Sequence, residues 1–160
     1  MKFLFISEFF PATFAFDIRG GIEARTFKIA SFLARKHEVF ILASSESGKP
    51  RSQVLGKVHI FRVGLSLNYI RSGNVLGRVI FIFAAVIHGL FIDFDLIEGS
   101  SFFGWLPAFV LGTIKNKKKV IIVADIISEY AAETGIYFHP LRWIESFFFK
   151  KKLGLHFVHQ

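Results

Sequence analysis

Six short runs dominated by apolar side chains, separated by helical-period stretches or polar turns, constrain the 160-residue chain more than any other feature. They are residues 2–7 (KFLFIS), 39–43 (VFILA), 58–63 (VHIFRV), 96–98 (LIE), 120–124 (VIIVA) and 155–159 (LHFVH). Runs of this kind suit strands covered on both faces, the condition of a parallel sheet. After the first run and a loop bearing Pro11, Ile22, Thr26, Ile29, Ala30 and Leu33 fall on one helical face, while Arg25, Lys28 and Arg35 point elsewhere. Further helices are expected at 75–92, in the segment carrying Trp105, Pro107, Phe109 and Leu111, and at 141–151. Strands alternating with helices predict the α/β class: a doubly wound, mostly parallel six-stranded sheet, Rossmann-like, in three αβα layers. Residues 44–57, rich in Ser, Gly, Pro and charge, read as a surface loop, and 125–140 as a long irregular segment. One domain over 1–160 is the expected organisation.

Composition removes several classes. An apolar fraction of 52% with 22 phenylalanines excludes a disordered chain. The absence of cysteine excludes a disulfide framework, a cysteine zinc site and thiol catalysis, and agrees with a reducing compartment. The net charge of +8 would suit nucleic acid, an anionic membrane or a phosphorylated ligand. Its excess lies mostly in two tracts, Lys115, Lys117, Lys118 and Lys119, then Lys150, Lys151 and Lys152, without a DNA- or RNA-reading motif, so no nucleic-acid partner is expected. The first tract, with Asn116, also suits the negative end of a helix dipole.

The most apolar stretch, 79–92 (VIFIFAAVIHGLFI), is short for a membrane span, which takes roughly 20 apolar residues. The opening MKFLFISEFF is broken by Ser7 and Glu8 and carries no small-residue cleavage pattern, so it reads as a strand rather than a signal peptide. The stretch 143–152 (WIESFFFKKK) has two readings. It is a core helix with solvated lysines, or a membrane-surface patch in which Phe147 and Phe148 enter the interface and Lys150, Lys151 and Lys152 meet anionic head groups. In the second reading 79–92 is a further contact. The expected location is cytoplasmic, with peripheral contact at the inner face of the membrane.

In open α/β sheets ligands bind beyond the carboxyl ends of the strands, where the strand order reverses. With the common order 3-2-1-4-5-6, Gly20 and Gly21 would face the turn formed by Glu98, Gly99, Ser100 and Ser101 across that crevice. Two glycines opening a helix suit an anion at the helix N-terminus, or a turn that needs positive φ. The fingerprints GxGxxG and GxxxxGK[ST] are absent, which disfavours NAD and a P-loop. Glu98, Ser100, Ser101 and Asp125 end two adjacent strands, where they could accept hydroxyl protons or bind sugars; alternatively Ser100 and Asp125 are caps. The six histidines show no metal spacing, His37 and His88 reading as structural, so neither a metal nor a cofactor is expected.

These residues carry a resemblance. FLFISEFFPATF, then RGGIEARTFKIASFLARKHEVFILAS, resembles the N-terminal domain of family four glycosyltransferases of the GT-B fold. The shared features are an apolar strand, a proline-bearing loop at Pro11, a Gly-Gly-x-Glu turn at Gly20 to Glu23, and a long helix ending near His37, Glu38 and Val39. FDLIEGSS, VIIVADI and RWIESFFFKKKLGLHFVHQ are similar to later strands and the late helix of that domain. The resemblance implies transfer of a hexose from a nucleotide-sugar, the co-substrate, to a saccharide or lipid-linked acceptor. It puts Gly20 and Gly21 near the donor diphosphate and Glu23, Glu98, Ser100 and Ser101 on the acceptor side. The family's histidine after the fifth strand is replaced by Ala124, leaving the following Asp125 as the catalytic candidate, and the glycine before His37 is replaced by Lys36, removing the usual helix C-cap. Family members continue into a second, donor-binding α/β domain. The expectation is therefore an acceptor-side domain without that half, inactive by itself, completed by a second chain or self-associating through the exposed interface. The alternative from a different class is a non-catalytic membrane-surface module built on Phe/Lys-rich helices.

Overall fold

A computed structural model of the chain describes residues 1–13, 18, 20–66, 75–100 and 102–122. Their elements run β1 (Lys2–Ser7), α1 (Gly21–Leu33), β2 (Glu38–Ser45), β3 (Ser52–Leu55), β4 (Val58–Ser66), α2 (Val75–Leu90), β5 (Leu96–Ser100), α3 (Phe102–Ile114) and β6 (Lys118–Ile122). The strands form one six-stranded sheet in the order β3-β4-β2-β1-β5-β6. All neighbours are parallel except β3 and β4. The fold is α/β and Rossmann-like, as the apolar runs predict, and the order reverses between β1 and β5, as in the common doubly wound order.

Side-chain alternation along the parallel strands builds two cores. Leu4, Ile6, Leu42, Val63, Ile97 and Ile121 face α2 and α3. Phe5, Val39, Ile41, Ala43, Val58 and Ile60 face the other way, toward Ala30 and Ala34 at the end of α1. A strand buried on both sides cannot carry polar residues in its middle without unsatisfied groups, so it reads as a continuous apolar run.

The sixth strand differs from expectation. The sequence at 155–159 lies outside the described residues, as does the expected helix at 141–151. The sheet's remaining strand is β3, inside the segment 44–57 read as a surface loop. It pairs antiparallel with β4 from Leu55↔Val58 to Ser52↔Phe61. The two-residue link turns at Gly56, φ 62°, a backbone state a Cβ disfavours and one that type II′ hairpins require at their first central residue. A four-residue strand whose residues are alternately exposed and half-buried has no apolar run to announce it.

Both expected helix ends are resolved by different chemistry. α1 lacks a C-cap glycine; it closes through Ala34, still right-handed, and the His37 N–H donates to the Leu33 carbonyl at 3.0 Å. α3 ends on Asn116 at φ 51°, with Asn116 N–H on Thr113 O and Lys117 N–H on Gly112 O. That pairing is a Schellman closure, and it turns the chain into β6. The lysines around it are partly structural: Lys115 Nζ donates to the Ile92 carbonyl at 2.6 Å, and Lys119 Nζ to Thr113 Oγ1 at 3.3 Å.

α3 lies unusually close to the sheet. A Cβ on Gly104 would sit 2.5 Å from the Ile6 carbonyl oxygen, and one on Gly99 2.6 Å from the Gly104 carbonyl oxygen. Both obstacles are backbone, so neither can swing aside. Gly104→Ala should therefore lower stability by about 2 kcal/mol; a urea midpoint indistinguishable from the parent would show that α3 can shift outward freely.

Candidate functional site

In open α/β sheets ligands bind beyond the carboxyl ends of the strands where the order reverses, here between β1 and β5, and several of the residues singled out by sequence meet at that end of the sheet. Gly20 precedes α1 with φ −152° and ψ 159° and offers no side-chain cap. This is ordinary extended backbone, and Gly21 is absent from the described positive-φ positions. The positive-φ reading of the glycine pair is thereby corrected: backbone conformation does not demand glycine at either place. A Cβ on Gly21 would meet nothing within 4 Å. The first turn of the helix presents N–H groups that lack intrahelical acceptors, and its positive dipole end is moderated by Glu23, buried at 5% exposure.

A polar chain joins this turn to the end of β5. Arg25 Nη1 donates to Glu98 Oε1 at 2.6 Å, and Ser100 Oγ donates to the same oxygen at 3.1 Å. Thr26 Oγ1 donates to Ser100 Oγ at 3.2 Å. Glu98, Ser100 and Thr26 are buried, so each bond replaces water that the fold has removed. Glu98 and Ser100 therefore spend at least part of their hydrogen-bonding capacity holding α1 against β5, and Ser100, the last residue of β5, points its hydroxyl there. Arg25, read from periodicity only as pointing away from the core, reaches across to the neighbouring strand. Ser101, Asp125, Phe147, Phe148, Lys150, Lys151 and Lys152 lie outside the described residues.

Sequence reasoning missed a second polar cluster, around the loop that follows β1. Arg62, in the middle of the run VHIFRV, is 2% exposed. Its Nη2 donates to the carbonyls of Phe10 and Pro11 at 3.2 and 3.1 Å, and its Nη1 to Pro50 O and Gln53 Oε1 at 3.0 and 2.7 Å. Gln53 Nε2 in turn donates to the Ala12 carbonyl at 2.8 Å. The β1–α1 loop is thus held by β4 and β3, which gives the unexpected hairpin a role. Burial lowers the Arg62 pKa, and the nearby Glu46 charge opposes this. Glu46 is itself paired with Lys49 at 2.7 Å, both side chains being nearly inaccessible. An arginine inside an apolar run was the signal available in the sequence.

The third missed element is Glu8, directly after β1. Its carboxylate accepts from Arg78 Nε of α2 at 2.7 Å, and its carbonyl accepts from Ser44 N–H at 3.0 Å and from the Ser44 hydroxyl. The Arg78 guanidinium also lies 4.9 Å from the centroid of the Phe103 ring in the first turn of α3. One ion pair therefore ties β1, α2 and α3 together at the crevice end of the sheet. Burial raises the Glu8 pKa from its ordinary 4.5, and the attraction of Arg78 only partly offsets that.

Among the described residues no group of three or more His, Asp or Glu side chains could hold a metal ion. No protein-family model matches the chain, and no curated protein matches it either.

Two measurements probe these pairs. Arg25→Met leaves Glu98 buried without its cation and should cost about 2 kcal/mol, less than a fully buried pair because the Arg25 side chain is 31% exposed. Glu98→Gln keeps the shape and should cost less, so a double-mutant cycle without coupling would refute the bridge. For Glu8, a raised folded pKa means that its contribution to stability is complete below 4.5 and is lost as pH rises through the higher folded value. The parent should gain stability relative to Glu8→Gln on acidification from neutrality across that window. A constant difference across the window would contradict the burial of the charge.

Proposed function

We propose that this chain is the acceptor-binding half of a nucleotide-sugar-dependent hexosyltransferase of the GT-B kind. It would act on a saccharide or lipid-linked acceptor, and a second α/β domain would supply the remaining donor contacts. The observation that supports this reading is the bond chain from Arg25 and Thr26 to Glu98 and Ser100, which joins the helix opened by the glycine pair to the end of β5.

The division of labour follows from the chemistry of each wall. At the α1 N-terminus, backbone N–H groups and the helix dipole favour the donor diphosphate, and Gly21 leaves them approachable. On the β5 side, hydroxyl and carboxylate groups suit the hydroxyls of a sugar acceptor. Arg25 holds the Glu98 carboxylate in one orientation, and Arg62 with Gln53 holds residues 10–12 as a rim. Asp125 is the proposed general base for the attacking hydroxyl. The new glycosidic bond forms as the sugar–phosphate bond breaks, the nucleoside diphosphate leaving with the electron pair and the acceptor proton passing to the base.

The test is amide-resolved NMR on the purified chain. A nucleoside diphosphate should shift the amides of Gly20 to Glu23, and a saccharide acceptor those of Glu98 and Ser100. Gly21→Val should weaken the first response by roughly tenfold without altering the fold. The chain alone should not turn over a nucleotide-sugar. Absence of both responses sinks the assignment, and robust transfer by the isolated chain sinks the half-enzyme part of it.

A further inference from the structure

α2 has two apolar faces, and the described residues cover only one. Gly77, Phe81, Ala85 and Gly89, at a strict four-residue spacing, are the buried residues of the helix. On the outside, Leu76 is 68% exposed, Phe83 65%, Ile87 56%, and Phe91, just past the helix, 86%. The spacing keeps these side chains on one stripe. At its far end the Lys115 ammonium donates to the Ile92 carbonyl, so Phe91 and Ile114, each one residue from that bond, share a rim; Ile114 is 62% exposed.

Neither α2 nor α3 contains an acidic residue. The rim is basic. Lys115 and Lys117 both lie close enough to Asp93 to lower its pKa, which is set first by the hydrogen bond from Lys2 Nζ at 3.2 Å. Asp95 is occupied by the Lys2 backbone N–H at 2.8 Å. Lys119 lies against α3, its ammonium 5.6 Å from the centroid of the Phe109 ring. The nearby carboxylates are thus engaged, while the stripe itself offers no polar group to a protein partner.

We propose that the outer face of α2, with the lysine turn between α3 and β6, docks on an anionic bilayer surface. Large apolar side chains backed by cations match an interface of acyl chains beneath negative head groups. Two copies of this face would instead oppose like charges. The helix has 16 residues, about 24 Å of length, and among the described residues no helix is long and apolar enough to cross a membrane. It lies along the surface. The proposal is independent of the sugar-transfer reading, because it uses none of the crevice groups.

The test uses the whole chain and vesicles of pure phosphatidylcholine or of phosphatidylcholine with phosphatidylglycerol. Co-sedimentation is expected with the mixed vesicles only, and weakened by salt. Phe83→Gln combined with Phe91→Gln, both exposed in the parent, should lower the affinity roughly tenfold or more, and Lys117→Gln should lower it about twofold. The chain has no cysteine, so Ile87→Cys takes a single environment-sensitive dye. That dye should shift to the blue on mixed vesicles, while the same dye at Lys36→Cys on the exposed end of α1 should not. Three results would overturn the proposal: no binding to mixed vesicles, binding unchanged in the phenylalanine double variant, or a dye response at position 36 and not at 87. A lipid-free dimer abolished by the same double variant would assign the face to a second copy instead.

Discussion

Everything in the fold follows from the burial of β1 on both faces. Leu4, Phe5 and Ile6 are 0–1% exposed, between β2 on one side and β5 on the other. Such a strand needs a helical layer above and below it, and α1 supplies one layer and α2 with α3 the other. Charge can enter only at the strand's ends, where the chain emerges. The polar groups of the sheet are therefore driven to the edges of the two cores, and those at the carboxyl ends gather around the one place where the connections diverge.

That crowding is stabilised by pairs rather than by solvent. Glu98 with Arg25, Glu8 with Arg78 and Glu46 with Lys49 all bring opposite charges within 2.7 Å. Buried pairs of this kind contribute modestly as a whole but are costly to break singly, because the remaining charge has no water. They act as positional constraints: α1 is fixed to β5, and the starts of α2 and α3 are fixed to the end of β1. Arg62 does the same for the loop that leads to the glycine turn. The groups at this end of the sheet are consequently held in a set geometry.

The opposite surface has a different logic. α3 is drawn tight against β1 and β5 at Gly104 and Gly99, and α2 meets α3 where Gly89 lies against Leu111; Phe81 is buried with Gly77, Ala85 and Gly89, while Leu76, Phe83 and Ile87 stay outside. A helix apolar all round normally belongs to a deep interior or a membrane. In α2 the sheet satisfies only half of that requirement.

The sequence alone determined the class and the first five expected strands, because two-sided burial writes itself as apolar runs, while the reversal was an expectation from the common strand order and is given by the sheet itself. With that order, it also predicted that Gly20, Gly21, Glu98 and Ser100 face one another. It did not reveal β3, whose half-exposed strand has no such run, nor the roles of Glu8, Arg25, Arg62 and Arg78. A charged residue next to an apolar run looks the same whether it is solvated or buried, since its state depends on a partner far along the chain, 73 positions away for Arg25 and Glu98. Helical periodicity likewise made α2 apolar without saying which of its faces the sheet would cover. Those choices were made only when distant segments packed together, because desolvation and ion pairing are properties of neighbours in space rather than of neighbours in the chain.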